Sequence, residues 1–468
     1  MKMGHSSPKT GHSRSRPRGT ALAAALLAGA VACSEEAAVD GRPPLVLITL
    51  DTTRVDHLSC YGYGQPTTPH LERLAAESVV FTDCIAVSSW TLPTHASMFT
   101  GLFPSTHGAH YDPEGEVALS TAVGGPEIFA HFKVHGLAPE AVTLAEVLQS
   151  AGYATVGVGS GPWLKPVFGL AQGFHAYDCE FSSIAGRAAP EVNAIALPFL
   201  RRQHRRPFFL FLNYFDPHDP YDPPPELARR FLAGGAPSDA RLAALARYDA
   251  ELFEMDAGIG EVLDELRARG LYDRSWIVVV SDHGELFGEH GLEMHGFSLF
   301  EDEVRSALMI KPPVGRELIL DPAARVQHVD LMPFLLHELG IPAPPMEGDP
   351  LGRVDHAVVS ELFENEGNVV WKGERFRRRL WAIYSGRFKR ILSTKENDPD
   401  AGLFDLEVDP GERHDLAADR PEEARKLAAE WSAWRDSLLE PLDTSPLEGI
   451  DEATQRQLRN LGYAGPGK

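Results

Sequence analysis

The chain has 468 residues, 43% of them hydrophobic and 24% charged, and a formal net charge of −22 at pH 7. This is ordinary soluble usage, long enough for one large α/β unit with an appended lobe, and it excludes both a disordered chain and a multi-span membrane protein. So acidic a surface repels nucleic acid and anionic headgroups, and four cysteines in no zinc spacing allow at most one disulfide among Cys60, Cys84 and Cys179.

In chain order, residues 1–33 read as a lipoprotein-type signal peptide. Lys2, Lys9, Arg14, Arg16 and Arg18 precede the short apolar run ALAAALLAGAVA, and Ala30-Val31-Ala32 stands directly before Cys33. The run is too short for a permanent bilayer span. Its ending resembles a bacterial lipobox, which implies acylation of Cys33, export, and attachment to a membrane facing the periplasm or the cell surface. Ala30 stands where such a motif usually has leucine, so cleavage near Ala32 without acylation stays open. An acidic linker, residues 34–42, follows.

PPLVLITL then predicts a strand buried on both faces, ending at Asp51. TPHLERLAAES and VTLAEVLQSAGY carry helical spacing, and ATVGVGS and PFFLFLNYFDPH read as further strands. ELFEMDAGIGEVLDELRARG places Leu252, Met255, Ile259, Val262, Leu263 and Leu266 on one stripe before the strand WIVVVSDHG. Such alternation predicts an α/β fold with a mostly parallel central sheet flanked by helices. Residues 109–140 and 343–356, rich in Gly and Pro, read as loops. From about residue 355 short alternating strands and a polar helix predict a small α+β lobe. The expected organisation is a catalytic domain over 43–350 and a C-terminal subdomain over 351–468 completing the same unit.

Open parallel sheets bind ligands beyond the carboxyl ends of their strands. Asp51 and the pair Asp282-His283 end two such strands, and two carboxylates with an imidazole make a mixed oxygen and nitrogen site for a divalent cation.

Several ordered stretches carry a resemblance: VLITLDTTRVDHLSCYGYGQPTTPHLERLA, WTLPTHASMFTGLFPSTHG, YFDPHDPYDPP, VVVSDHGELFGEHG with HGFSLFEDEVR, and LFDLEVDPGERHDL. Together, over roughly residues 43–465, they resemble the sulfatase family of the alkaline-phosphatase superfamily, whose members are metal-dependent hydrolases of sulfuryl and phosphoryl esters. The family signature has Cys or Ser, any residue, Pro, Ser, Arg and, further on, Thr-Gly. Pro93 and Thr100-Gly101 set the frame, so Thr91 occupies the nucleophile position, Thr94 the next hydroxyl, and His95 the usual arginine.

Sulfatases oxidise that Cys or Ser to formylglycine. The β-carbon of threonine carries a methyl group, so no formylglycine is expected here. The resemblance implies one divalent cation (Ca, Mg, Mn or Zn) on Asp51, Asp282 and His283, beside a threonine that coordination activates. His218 falls where relatives keep groups that protonate the leaving oxygen or hold the anion, and His295 and Lys165 fall at substrate-binding positions. A purely structural role for Thr91, capping the helix that starts near Pro93, competes with the catalytic one. Besides His95, two departures stand out: SGPWLKP in place of Gly-Lys-Trp-His, and Thr52 in place of a second metal-binding aspartate.

The leading expectation is a hydrolase of anionic phosphate or phosphonate esters with unmodified Thr91 as nucleophile. Two alternatives stay open: a true sulfuric ester hydrolase with an atypical nucleophile, and a non-catalytic sulfatase-like surface lipoprotein.

Overall fold

The computed structural model describes residues 41–181, 184–202, 206–232 and 239–444. Cys33, the signal segment and the linker up to residue 40 lie outside the described residues. Among those described, no helix is long and apolar enough to cross a membrane.

The central sheet has eight strands: β1 (Leu45–Leu50), β2 (Val79–Ile85), β3 (Ala154–Val158), β4 (Ala176–Asp178), β5 (Phe208–Tyr214), β6 (Trp276–Ser281), β7 (Arg305–Lys311) and β8 (Val326–Gln327). Their order is β8-β2-β7-β6-β1-β5-β3-β4. All neighbours run parallel except β7, which is antiparallel to β2 and β6. Every residue of β1, β5 and β6 is buried, as unbroken Val, Ile, Leu and Phe runs require when helices cover both faces.

Register decides where the polar residues emerge. Leu50 lies opposite both Tyr214 and Ser281, so Asp51 and Asp282 leave the sheet side by side. The Asp51 N–H still donates to Tyr214 O at 2.9 Å, and the Asp282 N–H to Leu50 O at 3.2 Å.

Around the sheet lie α1 (Pro69–Ala75), α2 (Thr91–Thr100), α3 (Leu144–Ser150), α4 (Ala189–Leu200), α5 (Ala240–Ala268) and α6 (Leu331–Leu339). The apolar stripe expected on α5 is buried as read, but the helix begins earlier, at an Asp239 cap that accepts the Arg241 N–H. Helix α2 is buried along its whole length and stops at Gly101, whose φ of 67° admits no ordinary side chain without strain. The stretch 109–140 is not all loop: it holds a two-stranded ribbon, Val117–Ala118 with Lys133–Val134, and short helical turns between them. Those pieces are too short to show a period in sequence.

Beyond them, β9 (Val359–Leu362), β10 (Leu380–Ser385), β11 (Phe388–Ser393) and β12 (Gly402–Asp405) form an antiparallel sheet covered by α7 (Pro421–Ser437). Buried Lys389 joins this sheet to the main body through Glu301 at 2.9 Å and also pairs with Glu412 at 2.8 Å. Two further contacts reach the ligand edge of the main sheet. Asn368 Nδ2 donates to Gly296 O and Arg378 Nη2 to Phe297 O, both at 2.9 Å.

Candidate active site at the strand ends

Asp51, Asp282 and His283 each present a ligand atom within 4.8 Å of the others, and all three are fully buried. Asp282 Oδ1 accepts the N–H groups of Thr52 at 3.1 Å and His283 at 2.7 Å. Asp282 Oδ2 and both oxygens of Asp51 have no hydrogen-bond donor. Buried carboxylate oxygens without donors are costly unless a cation meets them. Burial pushes the Asp51 carboxyl up to about 7 even though His295 pulls it down. Burial and the nearby Asp51 push Asp282 well above the carboxylate range. The orphaned oxygens fit a divalent cation.

His283 completes the donor set. Its Nδ1 donates to Gly284 O at 2.9 Å, which leaves the Nε2 lone pair facing the cluster, 3.4 Å from Asp282 Oδ2. Thr52 bridges the two strand ends with φ of 46°, an uncommon conformation for a β-branched residue. The Asp282 carboxylate on its N–H and the Tyr248 hydroxyl on its carbonyl, at 2.8 Å, hold it there.

Thr91 opens α2, and its Oγ1 lies 3.4 Å from His283 Nε2. The capping role weighed from sequence is not what the helix shows. Trp90 is the N-cap residue with no side-chain cap, and Thr91 already lies inside the first turn. Its hydroxyl is therefore aimed at the cluster, at a helix end that favours anions.

His95 lies one turn along. Its Nδ1 meets the Thr91 carbonyl at 2.8 Å and its Nε2 meets Thr49 Oγ1 at 3.0 Å, with Asp282 Oδ2 at 3.7 Å from Nδ1. The ring is completely buried, and burial lowers its pKa to about 4. Both nitrogens being engaged within the protein, His95 does not offer an anion the forked donors of an arginine.

His218 and His295 do come together, with ring centres 5.0 Å apart, and His295 lies 4.6 Å from the His283 ring. Their surroundings pull their protonation in opposite directions. His218 stacks on Phe215 and gives Nδ1 to Asp219 O at 2.6 Å, and burial lowers its pKa to about 3. Burial pulls His295 down too, but the Glu285 carboxylate 3.2 Å from Nδ1 outweighs it and raises the ring's pKa.

Lys165 does not join them. Its ammonium donates to the carbonyls of Cys179, at 2.8 Å, and Phe181, because the two short turns 162–164 and 166–168 direct it into the loop after β4. The structure does not bring it together with the other expected site residues.

Sequence reasoning passed over Glu285, Asn213 and Gly161. Glu285 Oε2 accepts the Tyr221 hydroxyl at 3.1 Å, and its signal was a second acid two residues after His283. Asn213 is the polar residue inside an apolar strand, and its Oδ1 accepts the N–H groups of Ser160 and Gly161 at 3.1 and 3.2 Å. A side chain at Gly161 would press on Phe215 at 2.9 Å and approach Asp51 Oδ2 at 3.5 Å, so the close backbone approach there needs glycine.

The family model described as Sulfatase matches residues 43–341. Steryl-sulfatase of Mus musculus is 25% identical over 564 residues, covering 88% of this chain and 85% of its own length. Arylsulfatase A of Homo sapiens is 25% identical, with 80% and 83% covered. Among solved structures, the phosphonate monoester hydrolase of Agrobacterium radiobacter superposes with a TM-score of 0.65 at 20% identity, covering 85% of this chain and 96% of that one. A protein in complex with its substrate D-glucosamine-2-N,6-O-disulfate superposes with a TM-score of 0.64 at 19% identity, covering 85% and 99%.

Proposed function

The chain belongs to the sulfatase family of ester-bond hydrolases, and we propose that it cleaves a phosphate or phosphonate ester with unmodified Thr91 as nucleophile. The observation that carries this is the Thr91 hydroxyl, 3.4 Å from Nε2 of His283, which clusters with Asp51 and Asp282, where three carboxylate oxygens lack donors. Asp51, Asp282 and His283 would hold the divalent cation on which the family depends. When bound, that cation supplies acidification of a neighbouring hydroxyl and neutralisation of an anionic ester.

The chain's own residues supply the rest. Thr91, its hydroxyl proton released to solvent, attacks phosphorus from the end of α2 as the bond from phosphorus to the leaving oxygen breaks, and water later cleaves the phospho-Thr91 ester, returning a proton to the Thr91 oxygen. His295 is the better proton donor to the leaving oxygen, since Glu285 favours its charged ring, whereas His218 is held neutral and suits orientation of the anion. Threonine has no aldehyde route for expelling sulfate, which weighs against a sulfuric ester. The names of the relatives favour it, so sulfate esters are the second reading. Acylation of Cys33 would tether the exported enzyme to a membrane.

The test is turnover of paired aryl sulfate, phosphate monoester, phosphodiester and phosphonate substrates by the purified protein with Mg2+, Mn2+, Zn2+ or Ca2+. Phosphoryl substrates are expected to lead, Thr91→Ala to lose at least about a hundredfold, and the peptide's mass to be that of plain threonine. Wild-type turnover in Thr91→Ala would remove the nucleophile and the mechanism together.

A further inference from the structure

Behind Thr91 runs a file of buried hydrogen bonds that begins on α2 and ends beyond β3. His95 Nδ1 bonds the Thr91 carbonyl at 2.8 Å, and His95 Nε2 meets Thr49 Oγ1 at 3.0 Å. Thr49 Oγ1 receives Asn213 Nδ2 at 3.1 Å, and Asn213 Oδ1 takes the N–H groups of Ser160 and Gly161. All three side chains have no exposed surface.

The directions of these bonds are determined by the partners. A carbonyl only accepts, so Nδ1 carries the hydrogen. An amide NH2 only donates, so the Thr49 hydroxyl hydrogen is left to point at Nε2. One hydrogen lies in each contact and every side-chain polar atom in the file is matched, whereas the adjacent Asp51 oxygens are not. Thr94 Oγ1 donates to the same Thr91 carbonyl at 2.9 Å. Two side chains thus add to the helix ladder's hold on the Thr91 carbonyl, in the first turn, where the N–H groups have no intrahelical acceptor.

We propose that His95, Thr49 and Asn213 are positioning residues that set the Thr91 hydroxyl against Asp51, Asp282 and His283, acting through the Thr91 carbonyl. The proposal rests on the nucleophile reading above. The histidine at the family's arginine position thereby works differently from an arginine, which faces the anion; His95 faces away from it and orients the backbone. A misplacement near 1 Å at a reacting atom costs on the order of a hundredfold in rate.

Thr49→Val removes the file's central hydroxyl at nearly constant volume. With Mn2+ present, kcat on the best phosphoryl substrate is expected to fall about tenfold to a hundredfold, with KM and bound metal within about twofold of wild type. Thr49→Ser should restore most of the rate. In the unaltered Mg2+-loaded protein, 15N-imidazole NMR should show His95 with its proton on Nδ1 and a bare Nε2. Unchanged kcat in Thr49→Val, a loss that follows loss of metal, or a proton on Nε2 with Nδ1 bare would each overturn the proposal. Should Thr49→Val fail to fold, the NMR result on the unaltered chain still decides. Full turnover by Thr91→Ala would strike the nucleophile reading, whereas a dead Thr91→Ala beside a fully active Thr49→Val would strike the positioning file alone.

Discussion

Replacing Asp51 with asparagine should stabilise the metal-free protein while abolishing metal binding. Asp51 is fully buried, neither of its oxygens completes a hydrogen bond, and the nearby Asn213 amide and His295 offset only part of the cost of burial. Its carboxyl is displaced by burial from 3.8 to about 7. At 1.36 kcal/mol per tenfold, ionising it inside the fold costs about 4 kcal/mol as an upper bound. The sign follows from linkage: a carboxyl whose folded value lies above its unfolded value favours the fold fully below about pH 4 and loses that contribution as pH rises towards 7. Protein stripped with EDTA should therefore melt progressively lower from pH 4 to pH 7. Asp51→Asn removes that titration and should melt above stripped wild type at pH 8, with a flatter pH dependence. Mn2+ should raise the melting temperature of wild type and leave the variant unmoved, and metal analysis should find the variant empty. Differential scanning calorimetry over pH 4–8, with and without Mn2+, makes the comparison. If Asp51→Asn melts below stripped wild type at pH 8, or retains metal, the carboxylate is not an uncompensated charge awaiting a cation.

Three further outcomes are expected. Glu285→Gln removes the charge that favours protonated His295, so the basic limb of the kcat/KM profile should move to lower pH, with poor leaving groups slowed more than good ones; an unmoved limb would take the acid role from His295. Lys165→Met should change KM by no more than about threefold, because its ammonium is bound by the carbonyls of Cys179 and Phe181, and a larger loss would return it to the substrate. Cys33→Ala should release the protein from the membrane fraction, and mass spectrometry of the wild-type N-terminus should show a lipid on Cys33.

The α/β order and the strands ending at Asp51 and Asp282 were legible because buried parallel strands write themselves as unbroken apolar runs. The pairing that sets those two acids side by side was not, since nothing local encodes that Leu50 lies between Tyr214 and Ser281. His95 shows the same boundary. Its place in the Thr91 motif could be read, but the hydroxyl that donates to its Nε2 belongs to β1, 46 residues earlier. Lys165 shows it too: SGPWLKP kept a lysine near the family's position, and only the two three-residue turns tell that its ammonium lies outside the cluster. The opposite pulls on the protonation of His218 and His295 depend on burial and the His295 charge lowering the one, against a weaker pull from Asp219 O, while Glu285 reaches and raises the other, a matter of side-chain direction.

The hydrogen bonds from Asn368 and Arg378 to the carbonyls of Gly296 and Phe297 make the connection between β9 and β10 a tenant of the candidate site, not a bystander. They grip the carbonyls of the two residues that follow His295. Anyone trimming this enzyme to a minimal catalytic fragment, or swapping that region with a relative's to redirect selectivity, would loosen the mounting of His295. Chimeras joined between β8 and β9 should therefore keep the Asn368 and Arg378 pair from the same parent as His295.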